Sequence, residues 1–135
     1  DRLEHLTNAE TGVLRYLKND TQVICDRYYL STYAYQSVAV DLDWTMALNK
    51  QAALMAKPDV HIFLDIAVDT ALARIARNRE HMDIYETKER LEETRTRYLE
   101  VIEKLKDTEN IVIINAEQSP EEIARQIWES VKYLF

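Results

Sequence analysis

The sequence predicts an α/β fold, in which a parallel sheet carries helices on both of its faces. Three short apolar runs, typical of strands buried in a parallel sheet, alternate with longer segments of helical periodicity. Strands and helices that alternate in this way form β-α repeats, and right-handed crossovers place the helices on both sides of the sheet. The three runs are residues 22–25, 60–66 and 111–114.

Length, composition and charge predict one domain that binds a small molecule. The chain has 135 residues, of which 47% are apolar, and no linker or repeat divides residues 1–135. The net charge of −7 provides no basic surface for nucleic acid. Cys25 is the only cysteine, which excludes an internal disulfide and fits a reducing, cytoplasmic setting. We expect neither a signal peptide nor a membrane span, since no run approaches roughly 18 apolar residues.

The first half of the chain reads as helix, strand, helix, helix. Residues 2–18 have apolar side chains at helical spacing, and Gly12 interrupts this helix at a modest cost. After the strand at residues 22–25, a helix is predicted from Ser31 to about Val38, with Ser31 or Thr32 as its cap. A second helical stretch runs from Trp44 to Met55, and Pro58 follows its end.

The second half reads as strand, helix, helix, strand, helix. Asp69 is expected to cap a helix over residues 69–79, and a long charged helix follows from Thr87 to Lys106. Its apolar stripe is too short for a coiled coil. Ser119 is expected to cap the last helix, with Pro120 at its first position and Glu122 closing a capping box. Leu134 is expected on the inner face of that helix, together with Ile123, Ile127 and Val131.

Chemically versatile side chains follow the apolar run that ends at Cys25. They comprise an acid, a guanidinium, two hydroxyls, an aromatic ring and an amide: Asp26, Arg27, Ser31, Thr32, Tyr35 and Gln36. Ligands of open α/β sheets bind outside the carboxyl ends of the strands. A nucleotide site requires charge for the phosphate, aromatic rings for the base and an amide for the edge of the base.

Simpler interpretations exist for most of these residues taken one at a time. Asp26 and Arg27 could form an ion pair at the end of a strand, which contributes little at a surface. Arg2 could be a solvated helix charge, Tyr85 a packing residue, and the arginines of residues 74–79 a solvated helix face. His61, in an apolar strand, is expected to be a packed residue, because neither His5 nor His81 stands at ligand spacing from it.

The joint pattern resembles the acceptor-site motif of thymidylate kinases, which transfer a phosphoryl group from ATP to dTMP. Asp26-Arg27-Tyr28, Ser31-Thr32 and Ala34-Tyr35-Gln36 carry the resemblance. Asp1-Arg2-Leu3-Glu4-His5 and the Lys57-Pro58-Asp59 segment, with the strand ending at Leu64-Asp65, extend it over nearly the whole chain. It implies a three-layer P-loop-kinase-like fold whose N-terminal strand or strands and P-loop are absent from this chain.

The resemblance implies a role for each matching residue. It places Asp26 beside Mg²⁺ and the phosphates, where it positions the metal or an attacking oxygen, and it places Arg27 on the dTMP phosphate. Arg2 would reach the thymine, and Tyr35 would lie against the sugar and disfavour a 2′-hydroxyl. Residues along the thymine edge would be Ser31, Thr32 and Gln36.

A mobile lid is implied at about residues 76–87. Tyr85 would face the nucleoside, and Arg74, Arg77 and Arg79 would enter the lid, where arginine stabilises charge on the transferred group. Ile84 departs from the family pattern, which has D-R-I-E here, so the arginine that acts in catalysis stays open. The residues that the resemblance implies to be catalytic are Asp26, Arg27, Arg77 and Arg79.

The phosphate-binding loop G-x-x-x-x-G-K-[ST] cannot be formed from one glycine, Gly12. A kinase therefore requires a segment upstream of Asp1, which we expect because the chain starts inside a predicted helix. Three functions stay open: a thymidylate kinase making dTDP for dTTP synthesis with Mg²⁺ and ATP, a kinase of another pyrimidine nucleotide or a deoxynucleoside, and an inactive nucleotide-binding domain. By analogy with the family we expect a homodimer.

Overall fold

The computed structural model describes residues 2–78 and 87–135. The chain divides into two compact units, Asp1–Pro58 and Asp59–Phe135. The first unit contains four helices and the second contains a parallel pair of strands with its helices. The single domain expected over residues 1–135 stays a prediction.

Four helices build the first unit: α1 (Arg2–Thr7), α2 (Val13–Lys18), α3 (Tyr29–Gln36) and α4 (Leu42–Met55). A small apolar core joins three of them, because Leu6, Val13 and Ala52 are buried against one another. Tyr28 packs against this core and its hydroxyl donates to the Ala52 carbonyl at 3.4 Å. The loop before α3 is therefore anchored on the core.

The single helix predicted over residues 2–18 is wrong. Asn8 ends the first helical segment, because its side-chain oxygen accepts from the amides of Glu10 and Thr11 at 2.9 and 3.0 Å. Such a side-chain turn competes with helical hydrogen bonding. Gly12 then starts α2 with an extended backbone, and a Cβ there would lie 2.5 Å from the Asn8 carbonyl oxygen. Gly12 thus permits a close backbone approach between two helices.

The strand predicted at residues 22–25 is also wrong. Within the described residues the one sheet consists of two strands, and neither includes this segment. A strand needs a neighbour for its backbone N–H and C=O groups, and an apolar sequence alone does not supply one. Val23 packs on the core of the first unit, whereas Ile24 is 97% exposed.

Helix α3 begins two residues earlier than predicted, and neither Ser31 nor Thr32 caps it. Tyr28 holds the cap position without a side-chain hydrogen bond, and aromatic packing fixes the start of the helix. The ring centre of Tyr29 lies 4.8 Å from that of Tyr28 and 5.5 Å from that of Tyr33. At α4 the cap is conventional, since the Asp41 carboxylate accepts from the Trp44 amide at 3.0 Å.

The second unit confirms the parallel sheet. Strand β1 (His61–Asp65) pairs with β2 (Ile111–Asn115) in parallel, and the register sets Asp65 opposite Asn115. The remaining elements are α5 (Val68–Asn78), α6 (Lys88–Leu105), α7 (Pro120–Val131) and a 3₁₀ turn (Lys132–Leu134). The core of this unit contains the buried side chains Val101, Ile102, Leu105, Ile114 and Ala116. No helix in the described ranges is both long and apolar enough to cross a membrane.

Two predictions in the second unit are corrected and one is confirmed. Asp69 does not cap α5, which begins at Val68; the Asp69 carboxylate instead accepts from Lys88 Nζ at 2.7 Å. Leu134 lies beyond the end of α7 and is 37% exposed. His61 is packed, with 8% of its surface exposed and Nε2 at 3.8 Å from a Glu109 oxygen.

The start of α7 confirms the predicted cap. Ser119 Oγ accepts from the Glu122 amide at 3.3 Å, and Pro120 is the first helical residue. The predicted closure of the capping box is wrong: the Glu122 carboxylate accepts from Arg125 Nη2 at 2.6 Å and from Gln126 Nε2 at 2.9 Å, which lie further along the helix, and not from the Ser119 amide. These bonds, from Arg125 first and Gln126 second, hold the pKa of Glu122 down to about 2.

Replacing the cap tests this boundary. We expect Ser119→Ala to lower the free energy of unfolding by about 1 kcal/mol, because one N–H group of the first turn loses its acceptor. Urea denaturation followed by circular dichroism measures the change. Ser119→Asp, which retains an acceptor oxygen, is the matched control and should stay close to the unsubstituted chain. Equal stability of the alanine and aspartate variants would show that the cap contributes nothing.

Candidate functional site

Helix α3 separates the predicted site residues from the core. The side chains on one side of the helix are buried, together with that of the residue after its end: Tyr29, Leu30, Tyr33, Ala34 and Ser37. The opposite side of the helix is the open face, which we define as Ser31, Thr32, Tyr35 and Gln36. Ser31 and Thr32 are half-buried, and Tyr35 and Gln36 are exposed. Residues three or four positions apart are neighbours on a helix surface, as Ser31 is with Tyr35 and Thr32 is with Tyr35 and Gln36. The structure therefore brings these four predicted residues together on one surface.

Arg27 lies at the head of this open face in an unusual backbone conformation. Its φ angle is 70°, in the left-handed region that residues other than glycine seldom adopt. The guanidinium carbon lies 5.4 Å from the centre of the Tyr35 ring, within the range of a cation–π contact. Arg27 and Tyr35, predicted as separate contacts for phosphate and sugar, are thus neighbours.

Asp26 is exposed immediately before Arg27. Among the described residues it takes part in no recorded hydrogen bond or ion pair, so the strand-end pair with Arg27 is not what the structure shows. The described ranges contain no group of three or more histidine, cysteine or acidic residues that could hold a metal. One accessible carboxylate still fits Mg²⁺, which commonly takes one or two protein carboxylates and completes its shell with phosphates and water.

The described structure does not test where the remaining predicted residues lie relative to this surface. Arg2 is the first residue of α1, and its contact with thymine stays a prediction. Arg77 is exposed in the last turn of α5, in the second unit. Arg79 and Tyr85 fall outside the described residues, and so does most of the lid expected at residues 76–87.

Arg74, another of the lid arginines, lines a cavity of about 460 Å³ in the second unit. Its other lining residues belong to the turn before α7 and to the inner face of that helix: Gln118, Pro120, Ile123, Ala124 and Ile127. The lining is mainly apolar, with one charged and one amide side chain.

A bidentate ion pair at the end of β1 was not predicted. Arg95 on α6 donates to both oxygens of Asp65, from Nε at 2.7 Å and from Nη2 at 2.9 Å. The hydrogen bond from Arg95 holds the pKa of the Asp65 carboxyl below its ordinary value of 3.8, and the same bond raises the pKa of Arg95. The sequence contains no sign of this pair, because Asp65 and Arg95 are 30 residues apart and only the fold brings them into contact.

The Asp65–Arg95 pair should stabilise the second unit in a pH-dependent way. We expect a double-mutant cycle with Asp65→Asn and Arg95→Met to give a coupling of about 1 kcal/mol at neutral pH, since the Arg95 side chain is 41% exposed and solvent screens the pair. Because the folded-state pKa is depressed, this stability is present above the unfolded pKa of Asp65. It should be lost as the pH falls below the unfolded pKa and through the lower folded-state pKa.

Chemical denaturation over that pH range measures the coupling. The Arg97–Glu100 pair on α6, with one contact at 2.8 Å and three residues apart, is the control and should couple less. Equal coupling for the two cycles, or coupling at Asp65–Arg95 that does not change with pH, would contradict the assignment.

Comparison with known proteins decides the family. The thymidylate kinase family model matches residues 1–127 of the 135. The chain belongs to the thymidylate kinase family. This family has the P-loop-kinase-like α/β fold, and the parallel β1–β2 pair and the seven α-helices of the described residues agree with it.

Relatives named as thymidylate kinases match the chain over most of its length. The "probable thymidylate kinase" of Methanococcus aeolicus is 33% identical over 131 residues, which cover 94% of this chain and 62% of that protein. The one of Sulfolobus acidocaldarius is 36% identical over 136 residues, covering 100% and 63%. The thymidylate kinase of Rhodopseudomonas palustris is 38% identical over 118 residues, covering 82% and 50%. The chain thus spans less than two thirds of the length of these relatives.

Proposed function

We propose that the chain supplies the acceptor-nucleotide site of a thymidylate kinase, which transfers the γ-phosphoryl group of ATP to dTMP and forms dTDP for dTTP synthesis. Family membership supports the proposal, and so do the names of the relatives. The observation that carries it is the position of Arg27 at the head of the open face of α3, beside Tyr35. A cation next to hydroxyl, amide and aromatic groups is suited to a nucleoside monophosphate.

Each residue of the open face has a proposed contact with dTMP. The Arg27 guanidinium donates to the phosphate, which a planar fork of N–H groups binds well. Ser31, Thr32 and Gln36 line the thymine edge, with Arg2 as a further contact to the base. Tyr35 lies against the deoxyribose. The buried face of α3 secures the helix that carries Ser31, Thr32, Tyr35 and Gln36, which supports a base site along its open face.

The donor side of the reaction requires ATP and Mg²⁺. We propose that Asp26 helps to hold Mg²⁺, which when bound neutralises charge on the phosphates. Arg77 and Arg79 are the proposed arginines that stabilise the transferred group, with Tyr85 facing the nucleoside. The 135 residues contain one glycine and therefore no G-x-x-x-x-G-K-[ST] loop, so the β- and γ-phosphates would be held by a part of the protein outside them.

We also propose a cytoplasmic homodimer that binds neither nucleic acid nor membrane. The exposed apolar side chains of α4 are the proposed interface: Trp44, Leu48, Leu54 and Met55. A single cysteine, which cannot form an internal disulfide, fits the reducing cytoplasm, and the net charge of −7 disfavours binding to nucleic acid.

Nucleotide specificity tests the proposed function. Calorimetric titration of the 135-residue chain with dTMP, dUMP, UMP and dCMP should show the tightest binding for dTMP. The complete gene product, assayed with ATP and Mg²⁺, should convert dTMP to dTDP. Preference for another nucleotide would assign a different pyrimidine kinase. Binding without transfer by the complete product would indicate a nucleotide-binding domain that lacks activity.

Removing the Tyr35 ring should relax discrimination at the sugar. Tyr35→Ala opens space where a 2′-hydroxyl would lie, and loss of such steric exclusion changes selectivity by about 1–3 kcal/mol. The measurement is the ratio of affinities for the deoxyribo- and ribonucleotide forms of uridine monophosphate. An unchanged ratio would count against Tyr35 as the residue that selects the sugar.

A further inference from the structure

The contact between Arg27 and Tyr35 links two roles that the family resemblance assigns separately. Arg27 belongs to the loop before α3, and Tyr35 is on the second turn of that helix. The guanidinium carbon lies 5.4 Å from the ring centre, although both side chains are exposed. A long exposed arginine ordinarily samples many rotamers, and a contact with a ring restricts that freedom.

The backbone at Arg27 points to the same arrangement. Its φ of 70° places a bulky side chain in a conformation that is retained where the surroundings fix it. The neighbouring Tyr28 is anchored on the core through its hydroxyl and its ring contact with Tyr29. The left-handed turn immediately before this anchor directs the Arg27 side chain along α3 toward Tyr35.

We propose that Tyr35 is a positioning residue for Arg27: its ring holds one face of the guanidinium, so that the edge carrying the N–H donors is presented to the phosphate of a nucleoside monophosphate. A planar guanidinium can stack on a ring and donate from its edge at the same time. This inference rests on the proposed function and extends it. Tyr35 would then contribute to phosphate affinity, in addition to excluding a 2′-hydroxyl.

The inference makes a prediction that a sugar contact alone does not make. Tyr35→Leu keeps an apolar side chain of similar reach but removes the ring. It should lower the affinity for dTMP about two- to fivefold more than the affinity for thymidine, the difference expected of an exposed cation–π contact, because only dTMP carries the phosphate that Arg27 binds. In the Arg27→Ala background the same substitution should lower the affinity for dTMP no more than the affinity for thymidine, because the group being positioned is gone.

Calorimetric titration with dTMP and thymidine measures these affinities for the four proteins of the cycle. Tyr16→Leu, at a tyrosine that is 43% exposed on α2 compared with 45% for Tyr35, is the matched control and should change neither. Equal losses for dTMP and thymidine, or a loss specific to dTMP that persists in the Arg27→Ala background, would overturn the inference and leave Tyr35 as a sugar contact only.

A spectroscopic measurement separates failure of this inference from failure of the proposed function. In the ligand-free 135-residue chain, the ring current of Tyr35 should shift the side-chain resonances of Arg27 upfield. Tyr35→Phe should keep that shift, and Tyr35→Leu should remove it. Arg27 resonances that are unaffected by Tyr35→Leu would overturn the positioning role. Wild-type protein that binds dTMP no more tightly than thymidine would instead overturn the proposed function, and the resonances would still decide the positioning role.

Discussion

Arg27→Ala should weaken the binding of dTMP about 100-fold while leaving the chain folded. The guanidinium is exposed, so its removal exposes no core and stability should be unchanged. Its hydrogen bonds to a dianionic phosphate are charge-assisted, and their loss should weaken binding by about 3 kcal/mol, on the order of 100-fold. Calorimetry at nucleotide concentrations that give full saturation of the unsubstituted chain is the measurement.

Two further variants define what Arg27→Ala removes. Arg27→Lys keeps the charge but not the planar fork, so it should recover part of the affinity. Lys18→Ala removes an exposed positive charge elsewhere in the first unit and should have little effect. If Arg27→Ala binds dTMP as tightly as the unsubstituted chain does, Arg27 does not contact the phosphate.

Gly12→Ala should destabilise the first unit by about 2–3 kcal/mol. An alanine Cβ would meet backbone atoms rather than movable side chains, at 2.5 Å from the Asn8 oxygen, 2.7 Å from its nitrogen and 2.7 Å from the Leu6 oxygen. Relief would require moving α1 away from α2, which opens the core contact of Leu6 with Val13. The expected result is a lower denaturation midpoint with an unchanged denaturant dependence.

Glu10→Ala is the matched control for Gly12→Ala. Glu10 lies in the same turn and is exposed, and its amide, not its side chain, donates to Asn8. That variant should stay within about 0.5 kcal/mol of the unsubstituted chain. If both variants are equally stable, the close approach around Gly12 tolerates a methyl group.

The sequence predicted elements well where one residue carries a local signal. Ser119 and Pro120 define the start of α7 by chemistry within four residues, and the structure confirms it. The strands predicted from the apolar runs at residues 60–66 and 111–114 are also confirmed, as β1 and β2, because these two strands pair with each other. The segment at residues 22–25 has the same apolar character and failed as a strand, since pairing depends on a neighbour that the segment itself does not encode.

The candidate site was predictable in its composition but not in its geometry. Ser31, Thr32, Tyr35 and Gln36 stand at helical spacing, so a shared face follows once α3 is known. The contact of Arg27 with Tyr35 depends on a left-handed backbone angle that no sequence rule requires of arginine. The Asp65–Arg95 pair needed the packing of α6 on β1, which spacing along the chain does not reveal.

The division of α3 into a buried and an open face has a consequence for how ligand preference can be altered. Tyr29, Tyr33 and Ala34 secure the helix, while Tyr35 and Gln36 are accessible on its other side. Libraries randomised at the accessible positions should therefore yield many folded proteins that differ in the nucleotide they accept. Randomising the buried positions should mostly yield proteins that do not fold. Nucleotide preference and stability can therefore be selected separately within one eight-residue helix.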